Sequence, residues 1–224
     1  MNRRNFAQLA GMTGLGLFST PGVFAAEKSL GKHSFNLAYA PHLGMFRNHA
    51  GNDPIDQLNF MADNGFTAFE DNGMRNRPVA TQEKMAATMV KRGLRMGVFV
   101  AHEIYWQKPN LASGDHALRD EFLDYIKKAI PVAKRINAKW MTVVPGYVDL
   151  RQNMAYQTAH VVESLKQASS LLEPHGIVMV LEPLNFRDHP GLFLAESPQA
   201  YEICKRSEER RVGKECRSRW SPYH

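Results

Sequence analysis

The sequence predicts an α/β fold, an incomplete (β/α)8 barrel with about five βα units, on four observations. Short apolar runs alternate with longer stretches of helical periodicity. Successive runs begin about 30–45 residues apart, the length of a parallel strand plus its crossover helix. Polar side chains recur at the carboxyl ends of the runs, at His42, Glu70, His102, Tyr147 and Glu182, the end at which barrels assemble their sites. Finally, no Gly-x-Gly-x-x-Gly follows the first run, which removes a main signature of a doubly wound sheet.

Taken in order, Phe35 to Ala40 is predicted as the first strand. Pro54 to Asn64 follows as a helix with Ile55, Leu58, Phe60 and Met61 apolar, Asp53 as N-cap ahead of proline at the first helical position, and Gly65 closing it. Phe66 to Glu70 is the second strand. Thr81 to Arg92 is a helix opened by Thr81-Gln82-Glu83-Lys84 and ended by Gly93. Leu94 to Val100 is the third strand. Asp115 to Ile136 is a long amphipathic helix, with a bend or break expected at Pro131. Trp140 to Val144 is the fourth strand, ended by Pro145-Gly146, and Met154 to Glu173 the fourth helix. Pro174-His175-Gly176 turns into a fifth strand, and Ser197-Pro198 begins a fifth helix. The loops after the third and fourth strands carry Tyr105, Trp106 and Tyr147, rings suited to enclosing a small polar substrate. The methionines fall on helix faces and strands and read as core.

The richest stretch is Gly176-Ile177-Val178-Met179-Val180-Leu181-Glu182-Pro183-Leu184-Asn185-Phe186-Arg187-Asp188-His189-Pro190-Gly191. Five apolar residues run without alternation into a carboxylate, as in a strand buried on both faces of a parallel sheet. Glu182 then stands where ligands bind in such folds, and the loop after it carries Asn185, Arg187, Asp188 and His189. A strand-end Glu that merely pairs with a neighbouring Arg or Lys is the plainer alternative. The string Leu-Glu-Pro-Leu-Asn-x-Arg-Asp-x-Pro-Gly, with Leu192-Phe193-Leu194 and Ser197-Pro198-Gln199-Ala200 after it, resembles the hydroxypyruvate isomerase branch of the xylose isomerase-like sugar isomerase and epimerase TIM barrels. Phe35 to Lys205 fits that family throughout, with Gly65-Phe66-Thr67-Ala68-Phe69-Glu70 similar to its second strand.

The resemblance implies a metal-dependent sugar or hydroxy-acid isomerase that converts hydroxypyruvate to 2-hydroxy-3-oxopropanoate through an enediolate. A ketose 3-epimerase or an inosose dehydratase on the same barrel is the alternative. Such chemistry needs a base near the carbon acid, and positive charge or hydrogen-bond donors where oxygen becomes negative. By resemblance Glu182 is the catalytic carboxylate and one ligand of a divalent metal, Mg2+ or Mn2+. The remaining ligands, an Asp, a His and a second Glu on later strands, are expected beyond Lys205. His102, Glu70, Asn185 and Arg187 are the expected substrate-binding residues, Arg187 because its planar fork suits a carboxylate; His189 is a weaker candidate. A structural histidine at a strand end is the alternative for His102, and pairing with Arg75 or Arg77 the alternative for Glu70.

The two ends read differently from the body. Residues 1–26 hold Arg3-Arg4-Asn5-Phe6, a weakly apolar run to Phe18, no acidic residue, and Val23-Phe24-Ala25 as a small-residue cleavage site. This reads as a twin-arginine export signal and predicts a periplasmic protein. No other run approaches the ~20 apolar residues that span a bilayer, so no membrane contact is expected after cleavage. Residues 206–224 have one aliphatic residue and no periodicity. A basic arm for nucleic acid is one reading, but the segment resembles a sequencing-library adapter translated in frame, which marks a non-native tail and leaves 33–205 as the partial barrel. The chain is +6 overall; the tail holds six cations against three anions and residues 1–26 hold two arginines, which leaves +1 for residues 27–205. A nucleic-acid binder carries its excess on the body, so nucleic acid is not expected as a partner, and an abasic-DNA endonuclease on this fold loses its support. The expected partner is a small hydroxy-carbonyl substrate, with a full-length homo-oligomer left open. Cys204, the body's one cysteine, reads as a lone thiol. Ending after five units would leave strand edges unpaired and the fragment inactive.

Overall fold

The computed structural model describes residues 33–208. The expected export signal lies outside them, as does the expected tail after its first three residues. Four strands run parallel: β1 (Ala68–Phe69), β2 (Arg95–Met96), β3 (Trp140–Val143) and β4 (Val178–Leu181). β1 pairs with β2 and β3 with β4, with Phe69 opposite Met96 and Thr142 opposite Val180. Parallel bridges from His42 to Glu70 and from Val100 to Thr142 extend these pairs into one arc. Neighbours in space are thus neighbours in sequence. Between them run α1 (Arg47–Ala50) and α2 (Pro54–Asp63), then α3 (Val79–Arg92), α4 (His116–Arg135) and α5 (Met154–Leu172), with α6 (Ser197–Glu208) after β4. That sequential parallel order belongs to an incomplete (β/α)8 TIM barrel; a doubly wound sheet reverses direction at a switch point.

The helix ends follow from local chemistry. Asp53 accepts from the Ile55 N–H with Pro54 at the first helical position, Asp115 accepts from Ala117 and Leu118 N–H, and Asn153 accepts from Ala155 N–H. Each cap satisfies donors that a helix start leaves without a partner. Gly93 ends α3 in the left-handed region at φ 69°. The apolar helix faces, among them Leu58, Met61, Met85, Met89, Phe122, Ile126, Val161 and Leu165, form one buried core with Phe69, Met96, Phe99, Met141 and Val143 of the arc.

Several predicted elements are corrected. Phe35 to Ala40 forms no strand; pairing begins only where Glu70 N–H donates to the Pro41 carbonyl and Leu43 N–H to the Glu70 carbonyl. Phe35, Leu37 and Tyr39 are exposed, and a backbone with one partial neighbour and little apolar cover beyond the stacking of Phe35 on Phe66 does not sustain a ladder. α3 starts at Val79, two residues before Thr81, with no side-chain cap. α4 continues through Pro131. Pro131 lies on the exposed face, where water can satisfy the carbonyl that its missing N–H would have bonded. Val178–Leu181 are half-buried rather than buried, because β4 pairs with β3 on one side and, among the described residues, with no strand on the other. α6 runs on through Arg206, Ser207 and Glu208. Cys204 is disulfide-bonded, not a lone thiol.

The predicted third strand is broken by a change of phase. Leu94 and Met96 are buried, and so are Phe99 and Ala101, so Gly97 and Val98 occupy a place where strict alternation allows one residue. This is the signature of a bulge. Before it the segment pairs with β1, Gly97 N–H donating to the Phe69 carbonyl; after it the segment pairs with β3, Thr142 N–H donating to the Phe99 carbonyl.

Candidate active site

Alternation along the strands decides what faces inward. Phe69 and Asp71 point into the core while Glu70 and Asn72 face the concave side, and in β4 the same rule aligns Val180 with Glu182. Together with Val98 and Thr142 these residues line a cleft of about 610 Å3, open mouth included, completed by Leu181 and Pro183. The cleft lies at the carboxyl ends of the strands, and it brings the two predicted carboxylates, Glu70 and Glu182, into one wall-to-wall space. Glu182 N–H is fixed to the Val143 carbonyl at 3.2 Å, and the residue is exposed at the mouth.

The loop after β1 is held from behind. Asp71, 2% exposed, accepts from Arg77 Nε at 2.5 Å and Nη2 at 3.3 Å and from Gly73 N–H at 3.1 Å. Gln82, equally buried, donates to the carbonyls of Met74 and Arg77 and accepts from Arg135. Arg75 reaches across to Glu103 at 3.4 Å and over the Tyr125 ring. The arginines offered as partners for Glu70 are therefore engaged with Asp71 and Glu103.

The opposite wall is laced by backbone. Leu111 N–H donates to the Pro145 carbonyl, Val148 N–H to Gly191, Phe193 N–H to Gly146 and Leu184 N–H to Leu194, binding the loops after β2, β3 and β4 to one another. Gly191, at φ +83°, lets the chain pass beneath the Tyr147 ring, where a Cβ would come within 2.2 Å. Trp106 stacks on His189 at 5.3 Å. Tyr105, expected to enclose substrate, donates instead to Glu121 of α4 at 2.7 Å, and that hydrogen bond pushes its hydroxyl up to about 12.

The remaining predicted residues separate. His102 is 1% exposed and set edge-on to Phe122. Its Nδ1 bonds the Glu103 carbonyl at 2.7 Å and its Nε2 accepts from Val144 N–H at 3.2 Å, so neither ring nitrogen is left for a ligand, and burial lowers its pKa to about 4. Asn185 spends its amide on its own loop: Oδ1 accepts from Arg187 and Asp188 N–H, and Nδ2 donates to Asp188. Arg187 is exposed on that turn. Sequence reasoning missed Asn72, Thr142 and the Asp71–Arg77 pair. Two signals could have found the first two: Asn72 is two residues from Glu70, and Thr142 is a hydroxyl within the apolar run of β3.

Among the described residues no three His, Cys, Asp or Glu side chains converge to hold a metal ion. The described donors alone supply only part of the near-octahedral oxygen shell that a Mg2+ or Mn2+ ion asks for, Glu182 and Glu70 being the carboxylates that line the cleft. No described helix is long and apolar enough to cross a membrane.

Comparison with known proteins places this geometry. Residues 58–214 match the xylose isomerase-like TIM barrel family. The chain is 27% identical over 174 residues to a 2-oxo-tetronate isomerase of Cupriavidus necator, covering 75% of this chain and 63% of that protein. It thus spans under two-thirds of that relative's length. Similar solved structures include a family 2 AP endonuclease from Brucella melitensis, with TM-score 0.64 at 22% identity over 75% of this chain and 63% of that one. The D-psicose 3-epimerase of Clostridium cellulolyticum H10 superposes with TM-score 0.62 at 13% identity, over 77% and 60%. A 3-keto-D-glucoside 4-epimerase from E. coli gives 0.59 at 15%, over 77% and 65%. At these identities the structures share the fold.

Proposed function

The chain belongs to the xylose isomerase-like TIM barrel family, and on that premise we propose that the full-length protein is an isomerase of small hydroxy-carbonyl compounds, with hydroxypyruvate as its substrate. The observation that carries this reading is the position of Glu182, at the carboxyl end of β4 in a cleft shared with Glu70. Similarity to a protein named 2-oxo-tetronate isomerase supports isomerisation of a 2-oxo acid.

In this reading the Glu182 carboxylate removes a proton from the hydroxymethyl carbon, and the electron pair moves through the new carbon–carbon double bond onto the ketone oxygen. The proton held by Glu182 is returned to the former carbonyl carbon, while the hydroxyl on the deprotonated carbon passes its proton to the former ketone oxygen and becomes the aldehyde. Donors around the cleft are required where the oxygen carries charge. Arg187, exposed beside the mouth, offers its fork to the substrate carboxylate, and Glu70 accepts from a substrate hydroxyl. The proposal includes dependence on Mg2+ or Mn2+, with Glu182 as one ligand.

The test is turnover of hydroxypyruvate by the full-length protein, before and after EDTA treatment, beside its Glu182→Gln variant. The expected loss in the variant is at least about a hundredfold, the usual range for removing a general acid or base, with the melting temperature unchanged. Near-wild-type turnover would make Glu182 a structural residue. Epimerisation of a ketohexose with hydroxypyruvate left untouched would transfer the assignment to the epimerase alternative.

A further inference from the structure

Asn72 stands in the cleft, directly after the Asp71 that anchors its loop. It is exposed, lines the same space as Glu70, Thr142 and Glu182, and its side chain makes no hydrogen bond to the described residues, in contrast to Asn185, whose amide is consumed by its own loop. Its neighbours are arranged to hold it still. Asp71 N–H is tied to the Val98 carbonyl at 3.3 Å, and the Asp71 carboxylate is pinned by Arg77 and by the Gly73 N–H. Both neighbours of Asn72 are thereby anchored, Asp71 by its main-chain bond to Val98 and its pair with Arg77, and Gly73 by its N–H to the Asp71 carboxylate. An amide presented this way offers two N–H donors and one acceptor at a fixed height above β1.

We infer that Asn72 is a substrate-binding and specificity-determining residue, whose amide donates to the oxygen that gains charge when a hydroxy-carbonyl substrate is deprotonated, and that Asp71 and Arg77 are its positioning residues. This rests on the isomerase reading above and deepens it. The chemistry is consistent: a neutral donor in a cleft shared with two carboxylates, Glu70 and Glu182, can bond a carbonyl or enediolate oxygen without adding negative charge there. The positioning is also economical in conformational terms, since preorganised donors avoid the cost of ordering at the moment of reaction.

The experiment is steady-state kinetics on the full-length protein with hydroxypyruvate, comparing wild type with Asn72→Ala, Asn72→Asp, Arg77→Lys and Asn76→Ala. Asn76 lies in the same loop, exposed and outside the cleft lining, so its variant reports general damage to the loop. Asn72→Ala is expected to lower kcat/KM about tenfold, as for loss of one hydrogen bond to a charged oxygen, with the melting temperature held. Asn72→Asp should lose more, because it replaces a donor with a third negative charge. Arg77→Lys keeps the charge but not the fork and should lower kcat more than it raises KM, a misplacement of the amide that a purely structural role would not produce. Asn76→Ala should stay within about twofold. Asn72→Ala with both constants unchanged, or Asn76→Ala with the same loss, overturns the inference while leaving the isomerase reading intact. A wild type inert on hydroxypyruvate and on ketohexoses overturns both.

Discussion

The two walls of the cleft are built on different physics. The wall after β1 is held by side-chain charge: Asp71 is 2% exposed and paired with Arg77, and Gln82 is buried beneath the loop with Arg135. The wall formed by the loops after β2, β3 and β4 is held by main-chain hydrogen bonds, left-handed glycines and ring stacking. The difference teaches where each wall is fragile. A buried charge pair fails when one partner is neutralised, whereas a backbone lattice fails when the chain is denied a conformation.

The largest expected effect comes from breaking the first wall. Asp71→Asn leaves the Arg77 guanidinium without its counter-charge, a loss of about 3 kcal/mol, at the lower end for such pairs because the Arg77 side chain is 29% exposed. Chemical denaturation of the full-length protein checks this, and an unchanged midpoint would show the pair to be dispensable. The next effect is set by pH and belongs to the other wall, at the base of which His102 bonds Val144. Desolvation by burial holds the His102 pKa at about 4 against an ordinary 6.5, with the Glu103 carbonyl working against that shift and Arg75 adding to it. The folded chain therefore resists a proton that the unfolded chain accepts. Stability from this group is complete above about pH 6.5 and is lost as pH falls toward 4, by roughly 3 kcal/mol in all. Melting temperatures across that window measure it, and His102→Gln should flatten the acid limb; an identical limb in the variant would assign the loss to other groups. The smallest effect is Gly191→Ala. It combines a left-handed backbone with a methyl directed at the Tyr147 ring, about 2 kcal/mol given that the ring can swing aside, and it should loosen the loops after β3 and β4 without touching the first wall. Hydrogen exchange of Val148 and Phe193 N–H, which bond across those loops, would locate the change.

What was legible in the sequence follows the range of the interactions concerned. Helix ends were legible because caps act over two or three residues, as at Asp53, Asp115 and Gly93. Glu182 was legible because an apolar run ending in a carboxylate is a local pattern. Strand extents were not, since Phe35 to Ala40 has the composition of a strand but lacks the neighbours that make one. The fate of His102 was equally hidden: the sequence places it at a strand end, but only the approach of Val144 from β3 and Phe122 from α4 decides that both nitrogens are used. Asn185 and Asn72 show the same limit from both sides. Each follows a strand-end glutamate within three residues, and only the course of the loop determines which amide turns inward on its own backbone and which is left facing the cleft.

The bulge at Gly97 and Val98 bears on how this chain can change in length. A strand keeps its buried and exposed faces only while the residue count between two anchors stays the same, and a single insertion or deletion exchanges the faces beyond it. The segment from Leu94 to His102 already contains one such exchange, fixed by hydrogen bonds to β1 before it and β3 after it. Removing either Gly97 or Val98 would leave one residue between Met96 and Phe99, which restores strict alternation and keeps Phe99 and Ala101 on the face of Leu94 and Met96. A gap of one codon at the bulge is therefore absorbed by loss of the extra residue, and what it removes is the local bend by which the segment passes from β1 to β3.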